Sequence, residues 1–309
     1  MNTKHSFWNR LFAALLLAVM LVTQTTTAFA VEDSPEPTEP SMVQAQDSDT
    51  GTEEAGEGTD TPEGGSLSEG PETALQTVSS LEELLQAIEQ AEAGATIGIG
   101  CEIVCPDGTV LGDTYKRVTL QRTAPEGHIS TYSPDGTGNV IIQAIDFDGG
   151  NVEATTPFVQ ASISTAYSEC HFSDCTAGAV EADNGDQNFG YCVFERNTAQ
   201  YGAHIRMNGG SANLFNCVLG RGTATIRGGA IACYTDQEVT LEKCSIWENT
   251  AAQHGGAIWN RGKLTITQST IHNNTVNGEP DDIVNEYSGQ LALMDDYDAL
   301  VALYATYGL

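Results

Sequence analysis

Phe147, Phe172, Phe194, Leu219, Ile246 and Ile271 follow one another at spacings of 25, 22, 25, 27 and 25 residues. Two places before each stands Ile145, Cys170, Cys192, Cys217, Cys244 or Ser269. Side chains two apart on a strand share a face, so both columns point into one interior. Three residues after the apolar column come Gly150, Cys175, Asn197, Gly222, Asn249 and Asn274, mostly followed by threonine (Thr176, Thr198, Thr223, Thr250, Thr275). This position reads as a turn where Asn or Gly takes left-handed backbone geometry. Asn249, with Asn197 and Asn274 at equivalent places, is expected to bond through its side chain to the backbone of adjacent repeats. A Gly-Ala-apolar step comes next: Gly178-Ala179-Val180, Gly202-Ala203 with Ile205, Gly229-Ala230-Ile231 and Gly256-Ala257-Ile258. The register persists to Ile283 and Asn285, but Asp281 and Asp282 replace the Gly-Ala there, so this unit reads as terminal.

A unit of this length, made of short strands and tight turns, cannot bury its apolar face alone, so successive units must stack as coils of a solenoid. No Leu-x-x-Leu-x-Leu pattern recurs, which disfavours a leucine-rich horseshoe. Upstream, Ser80 as N-cap and Leu81, Leu84, Leu85, Ile88 and Ala91 predict an amphipathic helix ended by Gly94. Ala95–Gly100 then alternates as a strand. The expected fold class is all-β, a right-handed parallel β-helix with an N-terminal capping helix and a short C-terminal helical cap. The expected divisions are a signal peptide over 1–30, a disordered acidic linker over 31–75, the β-helix over 76–290 and the cap or tail over 291–309.

Phe194-Glu195-Arg196-Asn197 and Ile246-Trp247-Glu248-Asn249 alternate with Gly228-Gly229-Ala230-Ile231 and Gly255-Gly256-Ala257-Ile258. This pairing resembles the repeats of the polymorphic outer-membrane-protein family and, more broadly, the pectin-lyase-like right-handed β-helices. The resemblance covers roughly Ala144 to Asn285 and implies surface display and adhesion.

Lys4 and Arg10, an apolar run from Leu11 to Val22 and the Ala28-Phe29-Ala30 site together have the form of a secretory signal, with the mature chain starting near Val31. The apolar run is shorter than the roughly 20 residues a membrane-spanning helix needs, so no span is expected in the mature chain. From Val31 to Leu75 there is no Lys or Arg and little to bury. The formal net charge of −30 disfavours nucleic acid and anionic membrane surfaces as partners, since both are held by excess basic residues.

Eight cysteines in an exported chain suggest disulfides. Yet in-register side chains on parallel strands point alongside one another, which favours a buried ladder of thiols at Cys170, Cys192, Cys217 and Cys244, with one or two disulfides as the rival. Cys101 and Cys105 are too far apart to bridge on one extended strand unless the turn at Cys105-Pro106-Asp107-Gly108 folds one back, and their pairing stays open. The thiols are too widely spaced in sequence for a zinc site.

By the resemblance to the pectin-lyase-like fold, catalysis on this scaffold would draw on acids such as Asp146, Asp148, Glu153, Asp174, Asp183 and Asp186 for calcium or acid-base work, with a cation among Arg196, Arg206, Arg221 and Arg227 to stabilise a uronate's carboxylate and carbanion. No hydrolase motif recurs in them, and His254 sits at a repeat position whose equivalents are Arg227 and Gln200. Asp146-Phe147-Asp148-Gly149 begins like a calcium loop, but Pro157 at the twelfth place is no ligand, so turn chemistry explains it better. Trp247 and Trp259 alternate with inward positions and are expected on the outer surface, available to a sugar or a partner. No catalytic, cofactor or metal residue is assigned. The expected function is a secreted or cell-surface, adhesin-like protein binding a glycan or protein partner without catalysis. The alternatives are a polysaccharide lyase or glycoside hydrolase on the same scaffold, and a passive spacer.

Overall fold

The computed structural model describes residues 75–287 and 289–294. The signal and acidic segment expected over 1–30 and 31–75 lie outside these residues except for Leu75, and so does everything after Met294.

The described chain is a parallel β-solenoid. Each coil contributes one strand to each of three long sheets of nine, eight and eight strands, and the four later coils add a fourth sheet of five, the last of them supplying the antiparallel pair Thr275–Val276 and Glu279–Pro280. One coil runs Val193–Glu195 in the first sheet, Thr198–Tyr201 in the fourth, Ile205–Met207 in the second and Ser211–Phe215 in the third, and Val218–Gly220 opens the next. The predicted columns stack in register: Phe147 on Phe172, Phe172 on Phe194, Phe194 on Leu219, Leu219 on Ile246 and Ile246 on Ile271. The Phe147–Phe172 and Phe172–Phe194 rings lie 4.6 and 4.7 Å apart and within 6° of parallel. That separation is the backbone strand spacing itself, so the rings stack because the hydrogen-bond ladder stacks them. The same column continues upward through Leu120 to Ile97, so coils precede the sequence repeat.

The helix forms at Leu81–Gln90 (α1) with Leu84, Ala87 and Ile88 buried against the first coil. Ser80 Oγ accepts from Glu83 N, and the Glu83 carboxylate accepts from Ser79 N at 2.8 Å, a reciprocal capping arrangement. Its last turn carries no basic residue. Lys116 supplies that cation from elsewhere, its Nζ donating to Ile88 O and Glu89 O at 2.6 and 2.9 Å.

Two expectations need correction. The helical cap placed over 291–309 begins instead as a strand, Gln290–Met294, which extends the third sheet in register with Lys263–Thr267. The alternation Leu291-Ala-Leu293 suits a strand with one buried face, and residues beyond 294 lie outside those described. Second, the left-handed corner falls one residue before the Asn column, at Asp174, Arg196, Arg221, Glu248 and Asn273, all with φ between 52° and 58°. A second left-handed row, at Ala144, Glu169, Tyr191, Asn216, Lys243 and Gln268, has φ between 47° and 57°. These corners are occupied by ordinary residues because the amide there still bonds to the next coil, as in Tyr191 N to Phe215 O and Arg196 N to Gly220 O. A one-residue corner therefore turns the chain without orphaning a donor.

The asparagines one place later are buried and point inward. Asn197 Oδ1 accepts from Cys175 N, and its Nδ2 donates to Phe172 O. Asn249 and Asn274 repeat this pattern toward Gly222 N and Leu219 O, and toward Asn249 N and Ile246 O. Asp282 Oδ1 ends the ladder by accepting from both Asn274 N and Nδ2. The ladder has one gap, at Gly222, and His204 fills it. His204 Nδ1 lies 3.0 Å from Asn197 Nδ2 and its Nε2 lies 3.1 Å from Asn249 Oδ1. Since the first partner is a donor and the second an acceptor, the network assigns the neutral imidazole with its proton on Nε2. Burial pulls the His204 pKa down from 6.5 to about 4, against the opposing hydrogen bond that its Nε2 donates to Asn249.

All eight cysteines are free thiols. Cys170, Cys192, Cys217 and Cys244 are buried as the inward column requires. Each donates to carbonyls of its own and the preceding coil, as Cys217 Sγ does to Phe215 O and Phe189 O. Cys105 faces the core and Cys101 does not, so the two do not meet.

Candidate functional site

In the second sheet the residue after each apolar position faces outward, and in register these form the row Gln160, Glu181, Arg206, Ala232, Trp259, Val284. The fourth sheet runs beside it. Between the two, Gly202 at φ 55° turns the chain so tightly that a Cβ there would meet Ile205 O at 2.2 Å. The concave corner holds a cleft of about 470 Å³, with Thr176, Thr198, Gln200, Tyr201, Glu181 and Arg206 in its lining.

Arg206 is held by its surroundings. Its guanidinium lies 5.6 Å from the Tyr201 ring and 5.4 Å from the Tyr234 ring, within cation–π range of both. Its Nη1 is 3.6 Å from Glu181, whose Oε1 takes a shorter bond, 2.6 Å, from Asn208 Nδ2. The same Asn208 amide reaches Asp183 at 3.1 Å. Burial pushes the Tyr234 phenol up, so it stays neutral beside the cation.

From Tyr234 the aromatic contact continues to Trp259, 5.1 Å away and nearly perpendicular. Arg227 and Arg261 lie 5.3 and 4.8 Å from that indole, and Tyr287 packs on Arg261 at 4.3 Å. Glu286 draws Arg227, Arg261 and His254 together at 3.6, 3.3 and 3.8 Å. A chain of guanidinium groups and rings thus leads from Tyr201 and Arg206 in the cleft lining to Arg261 and Tyr287 beyond it.

The tryptophans occupy the outward positions expected of them, but neither is an open platform. Trp259 is only 1% exposed because arginines and tyrosines cover it, and Trp247 is half-buried with Arg221 at 4.8 Å from its ring. Long side chains can lay their stems and planes over an aromatic surface, which alternation alone does not register.

The acids considered as catalytic candidates are dispersed over different faces. Asp146 pairs with Arg117, and Asp148 accepts from Gln121 Nε2 and Gly150 N, which is turn chemistry. Glu153 is exposed, and Asp174 makes a bidentate pair with Arg196 at 2.9 Å for both bonds. Those hydrogen bonds, Asp174 first and Glu195 second, raise the Arg196 pKa. Asp183 accepts from Gln160 and Asn208, Asp186 from Ser211, and Arg221 pairs with Glu248. Asp281 accepts from Gly255 N, while its neighbour Asp282 closes the asparagine ladder. Of the sequence candidates only Arg206 lines the cleft. Glu181, Tyr201, Tyr234, Arg261 and Glu286 went unremarked in the sequence, although Glu181 and Arg206 sit at the same place in consecutive repeats. Among the described residues no group of three or more His, Cys, Asp or Glu is arranged to hold a metal ion, and no helix is long and apolar enough to cross a membrane.

Residues 136–281 match the family model described as right handed beta helix region. The β-helix seen here includes that stretch and extends on both sides of it, from Gln76 to Met294. Its right-handed coiling is the sense expected wherever a strand returns to pair in parallel within its own sheet. No curated protein and no solved structure matches the chain.

Proposed function

We propose that this chain is a secreted or cell-surface β-helix repeat protein, adhesin-like in the manner of the polymorphic outer-membrane-protein repeats, that binds a glycan or protein partner without transforming it. The observation that carries this reading is the lateral cleft beside Arg206, where hydroxyl, amide, aromatic and charged side chains converge on one concave surface. Such a mixture of a ring, hydroxyls and a few placed charges is how a concave site fixes a polar ligand. The acids that catalysis would need sit instead in ion pairs and turns on separate faces. The signal-like N-terminus supports delivery of the β-helix to the outside, and the acidic segment that follows it supports a tethering role.

The purified chain applied to an immobilised glycan library should bind a defined subset of saccharides. Incubated with pectin, alginate and hyaluronan, with and without calcium, it should release neither unsaturated products nor reducing ends. Turnover abolished by Glu181→Gln or Asp183→Asn would replace the binding reading by a lyase or hydrolase on the same scaffold. Expression in a secreting host should yield protein in the medium beginning near Val31, and retention of an intact N-terminus inside the cell would refute export.

A further inference from the structure

We propose that Arg206 is a subsite for an anionic group carried by a saccharide in the cleft, a carboxylate or a sulfate ester docked directly on the guanidinium with no bridging metal. This rests on the reading of the cleft as a ligand site and specifies what that site selects.

The first ground is what the cleft offers a ligand. Val180–Ala182 and Ile205–Met207 are each hydrogen-bonded to a strand on both sides, so no free sheet edge is available to an extended peptide here. Recognition must go through side chains. Glu181 accepts from ligand hydroxyls, the Thr176 and Thr198 hydroxyls and the Gln200 amide are further partners, and the Tyr201 ring gives an apolar surface. Hydroxyl-rich rings suit that set.

The second ground is the condition of Arg206 compared with other arginines of the chain. Arg196 has both ends of its fork taken by Asp174, and Arg117 is closed by Asp146. Arg206 has a hydrogen bond with the Tyr234 phenol but no carboxylate nearer than the long contact to Glu181, whose closer partner is Asn208, and its Nε is buried without a hydrogen-bond partner, so its Nη edge is the one left for a ligand. Its planar group is nevertheless held in place by Tyr201 and Tyr234, so little freedom is lost when an anion takes the open fork. Planar, bidentate recognition of oxyanions is what a fixed guanidinium does best. Arg227 and Arg261, packed on Trp259 further along the same sheet and sharing the single carboxylate of Glu286, add net positive potential on a chain whose formal net charge of −30 would otherwise repel an anionic ligand.

The test measures binding of the full chain to three matched oligosaccharide sets, neutral, carboxylated and sulfated, in buffer with and without a chelator. Charged saccharides should bind and neutral ones should not, and binding should weaken as salt rises. The arm that binds more tightly names the source of the anion. Arg206→Ala should lower affinity about ten- to a hundredfold, the range for loss of a charge-assisted hydrogen bond, while Arg221→Ala, a ring-stacked arginine outside the cleft, should leave it unchanged. Arg206→Lys, which keeps the charge but not the planar fork, should fall between. Wild-type salt dependence needs no variant, so the proposal remains testable if Arg206→Ala misfolds. Equal binding of neutral and charged saccharides would overturn the anion subsite and leave the glycan reading standing. Binding abolished by the chelator would replace direct docking by a metal bridge. Binding of no saccharide in any set would overturn both.

Discussion

Acidification should destabilise the β-helix through His204, and the size of the effect follows from its place in the asparagine ladder. The neutral ring accepts from Asn197 on one side and donates to Asn249 on the other. A second proton, on Nδ1, would face the Asn197 amide donor in a fully buried site. The folded pKa of about 4 lies below the 6.5 of the unfolded chain. Between those values the unfolded state binds more protons, so the His204 contribution is complete above about pH 6.5 and is lost as pH falls toward 4. At pH 4 the difference amounts to about 3 kcal/mol. Carboxylates elsewhere in the chain also change protonation as the pH falls, so the assay must isolate the imidazole. Urea melts at pH 7 and pH 4 should be compared between wild type and His204→Gln, which keeps a donor and an acceptor but does not titrate. Wild type should lose about 3 kcal/mol more than the variant between the two pH values. Equal losses would mean that His204 is not buried neutral between the two asparagines, and the account of how the Gly222 gap is filled would fall.

The remaining predictions concern the same interior. Asn249→Leu removes an acceptor for Gly222 N and donors to Leu219 O and Asn274, and should cost about 3 kcal/mol in urea melts, whereas Thr250→Ala beside it should change little. Gly222→Ala should cost about 1–3 kcal/mol by overpacking, because the new Cβ would meet Gly229 O at 2.3 Å and His204 Nε2 at 2.7 Å. In the native protein a thiol reagent should label Cys101 first. The buried Cys105 and Cys175, both pushed up to about 12 by burial, and the Cys170–Cys244 column should react only after unfolding, without need of a reductant. Mass-mapped disulfides between neighbouring coils would contradict that outcome.

The interior of this protein was legible in its sequence to an unusual depth. Phe172 and Phe194, Cys170 and Cys192, and Ala179 and Ala203 stand at matching places in the repeat, and each pair lies on consecutive coils within one buried column. The earlier coils fell inside the expected 76–290 span but could not be aligned to the repeat, because Ile97 and Leu120 lack the Asn and Gly-Ala companions that mark the later ones. The turn was read one residue late: Asn at a corner suggests left-handed backbone, but here the asparagines are inward ladder rungs, and Arg196 or Glu248 takes the corner.

Strand alternation and coil-to-coil register are near-neighbour rules repeated many times, so the sequence by itself determined the solenoid, its inward columns and its buried thiols. The rest was decided by the tertiary structure. His204 completes a ladder broken at Gly222 because stacking brings it between Asn197 and Asn249, and no local pattern links those three residues. The cleft lies at the corner where Gly202, like Gly228 and Gly255 in the next coils, turns the chain sharply from the fourth sheet to the second. Tyr201 and Arg206 in its lining, and Tyr234 and Trp259 packed beyond them, come from different strands and loops, and the irregular repeat length conceals their contact. Side chains that meet laterally across coils share neither period nor backbone position, and only the folded stack brings them together.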